Sequence, residues 1–288
     1  MTAEGFLTGA ARLSGVIGWP VKHSRSPRLH GYWLRHHGLD GAYLPLAVAP
    51  ERLETAIHGL QALGFRGANL TLPHKELVLP MVDEMSDAAR RIGAVNTIVL
   101  GDDGRIRGEN TDGFGFMASL ETGAPSWRAD KGPVALLGAG GAARAIAVAL
   151  LDAGAKSLRL INRTKERAQQ LADILRSAAP GRFIEAVGWD ERECALASAN
   201  LLVNTTSLGM SGQPALDLRL DDLPKTATVT DIVYAPLETS LLAAARARDN
   251  PVVDGLGMLL HQGRPGFAAW FGVDPEVTDE LRAAVLGG

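Results

Sequence analysis

The sequence predicts an α/β protein of two domains, and three observations lead there. Residues 134–137 (VALL) are an apolar run suited to a strand buried on both faces. A Gly-rich turn follows, and then an alanine-rich run with no Gly or Pro until Gly154, as a helix requires. Along the rest of the chain short apolar stretches alternate with segments of helical periodicity, the pattern of βαβ units around a parallel sheet. A polar connection containing Gly and Pro, residues 123–132, sets the region around the Gly-rich turn apart from what precedes it. With 288 residues, 46% of them hydrophobic, the chain can fill two separate cores.

The turn is Gly138-Ala139-Gly140-Gly141-Ala142-Ala143, a G-x-G-x-x-A pattern. The first glycine permits the tight turn, and the second lets backbone approach a pyrophosphate. Ala143 lets helix and strand pack closely, while the helix N-terminus faces the anion. Strand before and helix after meet the structural context that such a motif needs, which points to a dinucleotide and a Rossmann-like domain. The next strand, residues 157–161, is followed by Asn162, Arg163, Thr164, Lys165, Glu166 and Arg167. An NAD site uses an acidic residue here to accept ribose hydroxyls. Asn162 and Arg163 in that place indicate NADP. Thr164 suits an N-cap, and Lys165 and Arg167 then occupy a first turn where cations are disfavoured unless a 2′-phosphate sits there. The alternative is a basic helix start whose Arg163 and Arg167, four apart, pair with nearby carboxylates.

Before that domain, residues 14–19 read as a strand and Pro27 as a helix start, so Ser24 and Ser26 lie in a turn at a strand's C-terminal end, where open α/β sheets bind ligands. Helix capping would explain Ser26 but not both serines. Residues 43–48 form a second strand. An amphipathic helix spans 51–63, with Leu53, Ile57 and Leu60 at helical spacing. In residues 67–76 Asn69 and Thr71 alternate with Leu70 and Leu72 and share one strand face. Pro73 suits the first helical position and places Lys75 in an opening turn, where the helix dipole disfavours a cation. Residues 92–100 read as another strand carrying Asn96, with a turn at Asp102-Asp103-Gly104 and a short return segment. Asn110 or Thr111 can then cap a helix that holds Asp112 in its first turn. Further strands are expected at 201–203, ending in Asn204-Thr205-Thr206-Ser207, and at 228–234, ending at Tyr234. Met258 and Gln262, one helical turn apart, share a face.

Composition narrows the function classes. A formal net charge of −3 offers no general attraction to nucleic acid or anionic membrane. No apolar run reaches the ~18 residues of a spanning helix, and no basic region leads into a cleavable apolar block. Cys194 is the single cysteine, which excludes an intrachain disulfide, favours a reducing compartment and suggests a small buried hydrophobe. The seven histidines form no H-E-x-x-H or similar cluster, so no metal is expected. A G-x-S-x-G elbow is missing as well. What remains is a nucleotide domain, a domain bearing hydroxyl and amide side chains at strand ends, and a Lys and an Asp able to handle a proton. That set suits hydride transfer on a small polyhydroxylated substrate.

Almost end to end, the sequence resembles the shikimate dehydrogenase family. The motifs are H-S-x-S-P at 23–27, G-A-N-x-T-x-P-x-K-E at 67–76, G-A-V-N-T at 93–97 and N-T-D-G at 110–113. They continue with G-A-G-G-A-A at 138–143, N-R-T at 162–164, N-T-T-S-x-G-M at 204–210 and D-G-L-G-M-L-x-x-Q at 254–262. The resemblance implies reversible NADPH-dependent reduction of 3-dehydroshikimate to shikimate in aromatic amino-acid biosynthesis. It implies substrate binding by Ser24, Ser26, Asn69, Thr71, Asn96, Tyr234 and Gln262, with Lys75 and Asp112 as catalytic pair. It places NADP on Gly138, Ala139, Gly140, Gly141, Ala142, Asn162, Arg163, Thr164, Arg167, Thr205, Gly255 and Met258. The implied organisation is a mainly parallel αβα substrate domain (1–114), a Rossmann-like NADP domain (115–253) and C-terminal helices (254–288) returning to the first domain. A cytoplasmic monomer or homodimer with no nucleic-acid or membrane partner is the accompanying expectation. Two alternatives stand beside it. An NAD-using quinate/shikimate dehydrogenase is opposed by residues 162–164 and by the intact Ser24/Ser26 pair, and a nonenzymatic NADPH sensor by the presence of both Lys75 and Asp112.

Overall fold

The computed structural model describes residues 7–287. They form two compact units, one running up to Thr111 and resuming at Gln262, the other comprising Asp112–His261.

In the first unit Arg12–Gly18 forms β1, Ser26–His36 α1, Gly41–Ala47 β2, Leu53–Ala62 α2, Gly67–Leu70 β3 and His74–Leu77 α3. Glu84–Met85 forms β4, Asp87–Ile92 α4, Thr97–Leu100 β5 and Ile106–Glu109 β6. The sheet order is β2-β1-β3-β5-β6-β4. β1 pairs in parallel with β2 and β3, and β4 with β6, while β5 runs antiparallel to β3 and β6. The antiparallel insertion is the hairpin around Gly104, whose φ of +79° suits the expected turn. Leu53, Ile57 and Leu60 of α2 bury one helical stripe against Ile17, Leu70 and Ile98. The stretch 92–100 is a strand only from Thr97. Ile92 closes α4, a short helix capped at Ser86 by a bond from the Ala89 N–H, and Gly93 takes the left-handed conformation (φ +67°) that ends it.

In the second unit Asp112–Gly123 forms α5, Val134–Leu137 β7, Gly141–Asp152 α6, Ser157–Asn162 β8, Lys165–Ala178 α7 and Phe183–Gly188 β9. Leu201–Asn204 is β10, Thr228–Asp231 β11, Ser240–Ala247 α8, Val252–Val253 β12, Gly255–Phe271 α9 and Asp279–Leu286 α10; α9 belongs to the first unit from Gln262 onward, and α10 lies wholly in it. Six parallel strands follow the order β12-β11-β10-β7-β8-β9. This is the Rossmann-like winding, with its reversal of direction between β7 and β10, where ligands bind.

The end of the chain packs on the first unit. Trp270 Nε1 donates to the Ile98 carbonyl (3.1 Å), Trp33 Nε1 to the Glu276 carbonyl (3.0 Å) and the Arg12 guanidinium to the Phe271 carbonyl (2.9 Å). Gly67 makes the first of these possible. At φ +149° a Cβ there would collide with Trp270 Nε1. The division between units falls at 111/112 and 261/262, three and eight residues from the sequence boundaries at 114/115 and 253/254. α5 packs on α6 through Gly113 against Ala145 and Ala149, and the first turn of α9 packs through Gly255 on Ile232 and Gly257 on Ser119. Among the described residues no helix is long and apolar enough to cross a membrane.

Candidate functional site

The Gly-rich turn joins β7 to α6 at the reversal point of the second sheet. Gly138 has φ +109°, and a Cβ on it would lie 2.6 Å from Thr205 Oγ1, so the fold itself demands glycine there. Thr205, at the end of β10, donates from both its N–H (2.9 Å) and its hydroxyl (2.6 Å) to the Leu137 carbonyl, which ties the two strand ends together. Gly140 and Gly141 differ. A Cβ on either meets no atom within 4 Å, so the protein's own packing does not require glycine. Gly140 occupies the N-cap position of α6 without a side-chain cap, and no acidic residue lies in the first turn. An uncapped helix N-terminus beside two open glycines suits a phosphate group lying against the backbone.

Beyond β8, Asn162 donates to the Thr164 carbonyl (2.8 Å) and shapes the turn into α7. Thr164 holds the N-cap position with extended backbone, but its side chain makes no cap bond, contrary to expectation. Arg163, Lys165 and Arg167 are exposed, and none forms an ion pair among the described residues. The carboxylate-pairing alternative therefore finds no support, and the turn carries three cations beside the single carboxylate of Glu166, which pairs with none of them. Both features fit a phosphorylated dinucleotide.

β10 and β11 are braced beneath this edge. Asp231 Oδ1 accepts from Asn204 Nδ2 (3.0 Å) and the Val233 N–H (3.0 Å), and Oδ2 accepts from the Thr239 hydroxyl (2.8 Å). Burial raises the Asp231 pKa, and these three donors offset part of that rise. Thr205 and the half-buried Tyr234 follow directly from the braced strand ends. Gly255 has a packing reason for its identity, since a Cβ would lie 2.5 Å from Ile232 and Val233 backbone atoms. Met258 lies half-buried on α9.

In the first unit Ser24 and Ser26 share the turn after β1. The Ser26 N–H donates to Ser24 Oγ (3.3 Å), which leaves the Ser24 hydroxyl hydrogen for another acceptor. Ser26 is the first helical residue rather than the N-cap, a position held by Arg25 without a side-chain bond. The capping explanation of Ser26 is thereby removed. Thr71 and Lys75 follow β3, both half-buried. α3 is a single turn of four residues, so its two ends coincide and the dipole argument made for Lys75 from sequence does not apply. Lys75 is held through its backbone, whose carbonyl accepts from the Val95 N–H (2.8 Å). It belongs to the first unit, whereas Asp112, buried at the start of α5, is the first residue of the second.

Asn69, Asn96 and Gln262 are brought together in one buried network. Asn69 Nδ2 donates to Thr97 Oγ1 (3.0 Å) and the Asn96 carbonyl (3.3 Å), and Thr97 Oγ1 donates to Asn96 Oδ1 (3.0 Å). The Thr111 N–H donates to Asn96 Oδ1 (2.9 Å) and the Thr111 hydroxyl to the Gln262 carbonyl (2.9 Å). Asn96 Nδ2 reaches Gln262 Oε1 at 3.4 Å. Thr111 thus joins this network instead of capping α5 with its side chain. Sequence reasoning missed the parts of Thr97, Tyr43 and His30. Tyr43 donates from its hydroxyl to Asn69 Oδ1 (2.6 Å), and its ring stacks on His30 at 3.9 Å between centroids. Thr97 and Tyr43 were visible only as ordinary strand residues, because their roles depend on cross-strand register. Cys194, expected to be buried, is exposed. It opens a one-turn helix whose Ala195 and Leu196 take the buried positions.

Residues 16–98 match the family described as shikimate dehydrogenase substrate binding domain, and residues 124–211 match the shikimate/quinate 5-dehydrogenase family. The chain is 63% identical to the shikimate dehydrogenase (NADP(+)) of Rhodospirillum rubrum over 98% of its own length and 99% of that protein's. Among solved structures, the quinate dehydrogenase from Corynebacterium glutamicum in complex with NAD is similar with a TM-score of 0.89 at 35% identity, covering 96% of this chain and 99% of that one. The shikimate 5-dehydrogenase from Thermus thermophilus in complex with NADP(H) and shikimate is similar with a TM-score of 0.83 at 37% identity, again covering 96% and 99%. With both halves matched and identity sustained over nearly its full length, the chain belongs to the shikimate dehydrogenase family.

Proposed function

We propose that this protein catalyses the reversible NADPH-dependent reduction of 3-dehydroshikimate to shikimate, the step that serves aromatic amino-acid biosynthesis. The observation that carries the reading is the basic turn after β8, Arg163, Lys165 and Arg167 without carboxylate partners among the described residues, in a chain related end to end to NADP(+)-dependent enzymes. An acidic residue in place of Asn162 or Arg163 would have indicated NAD.

NADPH, when bound, supplies the hydride that adds to the ketone carbon. The chain's own residues do the rest. Ser24 and Ser26 donate hydroxyl hydrogens to the substrate carboxylate, and Asn69, Thr71, Asn96, Tyr234 and Gln262 hold the ring hydroxyls and orient the carbonyl. As the C=O π bond opens, Lys75 Nζ donates a proton to the oxygen that would otherwise become an alkoxide, and the alcohol results. In the oxidative direction Lys75 accepts that hydroxyl proton. Asp112 accepts from a substrate hydroxyl. The backbone N–H groups of Gly141 and Ala142 at the α6 N-terminus, with Gly138, Ala139 and Gly140 clearing the approach, would hold the pyrophosphate, and Arg163 and Arg167 would hold the 2′-phosphate. Thr205, Gly255 and Met258 would complete the cofactor site. A net charge of −3 gives no general attraction to nucleic acid, and the proposal includes a cytoplasmic monomer or homodimer.

Initial rates of NADP⁺ reduction with shikimate and with quinate, each repeated with NAD⁺, test the reading. Shikimate with NADP⁺ should give by far the highest kcat/KM. Preference for quinate, or for NAD⁺, would overturn it.

A further inference from the structure

The hydrogen bonds of the Asn69 amide can be fully assigned, and the assignment runs through Thr97. The Thr97 hydroxyl hydrogen is committed to Asn96 Oδ1 (3.0 Å), so Thr97 Oγ1 faces Asn69 as an acceptor. The Asn96 carbonyl is an acceptor as well (3.3 Å). Both neighbours therefore require the NH₂ end of Asn69 on their side, which uses both of its hydrogens. Its oxygen end then faces Tyr43, whose phenol donates to it at 2.6 Å. His30 is near enough for Asn69 to offset part of the fall in its pKa, but neither of its ring nitrogens makes a hydrogen bond among the described residues, so one lone pair on Asn69 Oδ1 remains.

Tyr43 is itself held from several directions. Its ring lies parallel to His30 (3.9 Å between centroids, 4° between planes) and within 6.0 Å of the Trp270 ring. It sits on β2, opposite Ser14 of β1, and is buried. Ser26 is near enough to its hydroxyl to ease ionisation slightly against the larger, opposing effect of burial. His30 in turn is enclosed by Trp33, Phe267 and Trp270.

Resting on the function proposed above, we infer that Tyr43 is a positioning residue: its phenol, braced by the His30 stack, fixes the Asn69 amide so that only the oxygen is presented, as an acceptor for a substrate hydroxyl. Tyr43 lies behind Asn69 and acts through it. The ligand feature selected is a hydroxyl that can donate at that point, and a substrate whose group there can only accept is disfavoured.

Tyr43→Phe keeps the ring stack and removes the hydroxyl. It should raise KM for shikimate about tenfold, the equivalent of one lost hydrogen bond of ~1.4 kcal/mol, while kcat and the KM for NADP⁺ stay within about twofold. In an Asn69→Ala background the same substitution should add nothing, because its effect is exerted through the amide. Unchanged KM in folded Tyr43→Phe, or additive effects in the double variant, would overturn the proposal. A measurement on the unmutated chain guards against variants that fail to fold. With asparagine ¹⁵N-labelled, the side-chain NH₂ signal of Asn69 should be protected from exchange both before and after shikimate is added. Protection gained only with shikimate would overturn the assignment of both hydrogens to Thr97 and Asn96. An unmutated enzyme inactive on shikimate would overturn the function itself and the proposal with it, a result distinct from an active enzyme in which Tyr43→Phe is silent.

Discussion

At the turn after β7, an added Cβ on Gly140 or Gly141 would meet nothing within 4 Å, and Arg163, Lys165 and Arg167 beyond β8 stand exposed with no ion pair among the described residues. Around Asn69 and Asn96, by contrast, nearly every polar atom is buried and already bonded to another part of the chain. The first region offers backbone and charge held in solvent, with open space beside them. The second offers side chains whose orientation is set by their neighbours. The contrast suits two different tasks. A pyrophosphate is a generic dianion that helix N–H groups can meet, whereas a small polyol is distinguished only by where each donor and acceptor points, which requires preorganised amides.

The largest effect that would sharpen this contrast belongs to neither set of contacts. Lys75→Ala should lower kcat by roughly 10²- to 10⁴-fold with a much smaller change in shikimate KM, the span of general acid–base catalysis. Near-normal kcat across the pH range would assign the proton to another group. On the charged side, Arg163→Ala should weaken NADPH relative to NADH by about 1.5–3 kcal/mol, since a charge-assisted bond to phosphate is lost. Equal losses for both cofactors would break the assignment of this turn to the 2′-phosphate.

Gly140→Ala tests the open backbone directly. Its φ of −89° and ψ of −171° are accessible to alanine, and the fold offers nothing for the methyl to strike. Thermal stability should be unchanged while KM for NADPH rises about tenfold, a cost of ~1.4 kcal/mol. An unaffected KM would mean that nothing approaches this turn closely.

The smallest expected effect concerns the preorganised side. Burial among Tyr43, Trp33, Phe267 and Trp270 lowers the His30 pKa from 6.5 to about 3, with Asn69 offsetting a small part. The unfolded chain thus takes up a proton below 6.5 that the folded chain refuses. The stability this group contributes is complete above that pH and is lost as pH falls toward 3. Between pH 6.5 and about 5.5 the loss should be about 1 kcal/mol. Urea unfolding of His30→Phe, which keeps a ring in the stack, should show that part of the acid slope removed. The same slope in both proteins would trace it to other groups.

The sequence revealed the two regions unequally, for physical reasons. Residues 134–137 and the helix after the Gly-rich turn were legible because a strand buried on both faces and an alanine-rich helix each leave a local signature. Residues 92–100 misled because Ile92, Ala94 and Val95 are as apolar as strand residues, yet they close a six-residue helix and its left-handed exit at Gly93. Lys75 was placed in a helix, but one too short to have a dipole worth invoking. Ser26 carried a cap signature and caps nothing. Tyr43 and Thr97 could not be found at all, since their meeting at Asn69 depends on β2, β1, β3 and β5 lying in that order.

Gly67 allows Trp270, which lies far along the chain, to reach across and bond the Ile98 carbonyl. The first unit is therefore discontinuous, and the second is contiguous within it. On a ribosome the order of synthesis and the order of completion are then reversed. Residues 112–261 have all their strands and can fold as a unit once they emerge. The six strands of the first sheet are all made by Glu109, but the indole that bonds Ile98 comes only with residues 262–288. The part translated first is the part finished last.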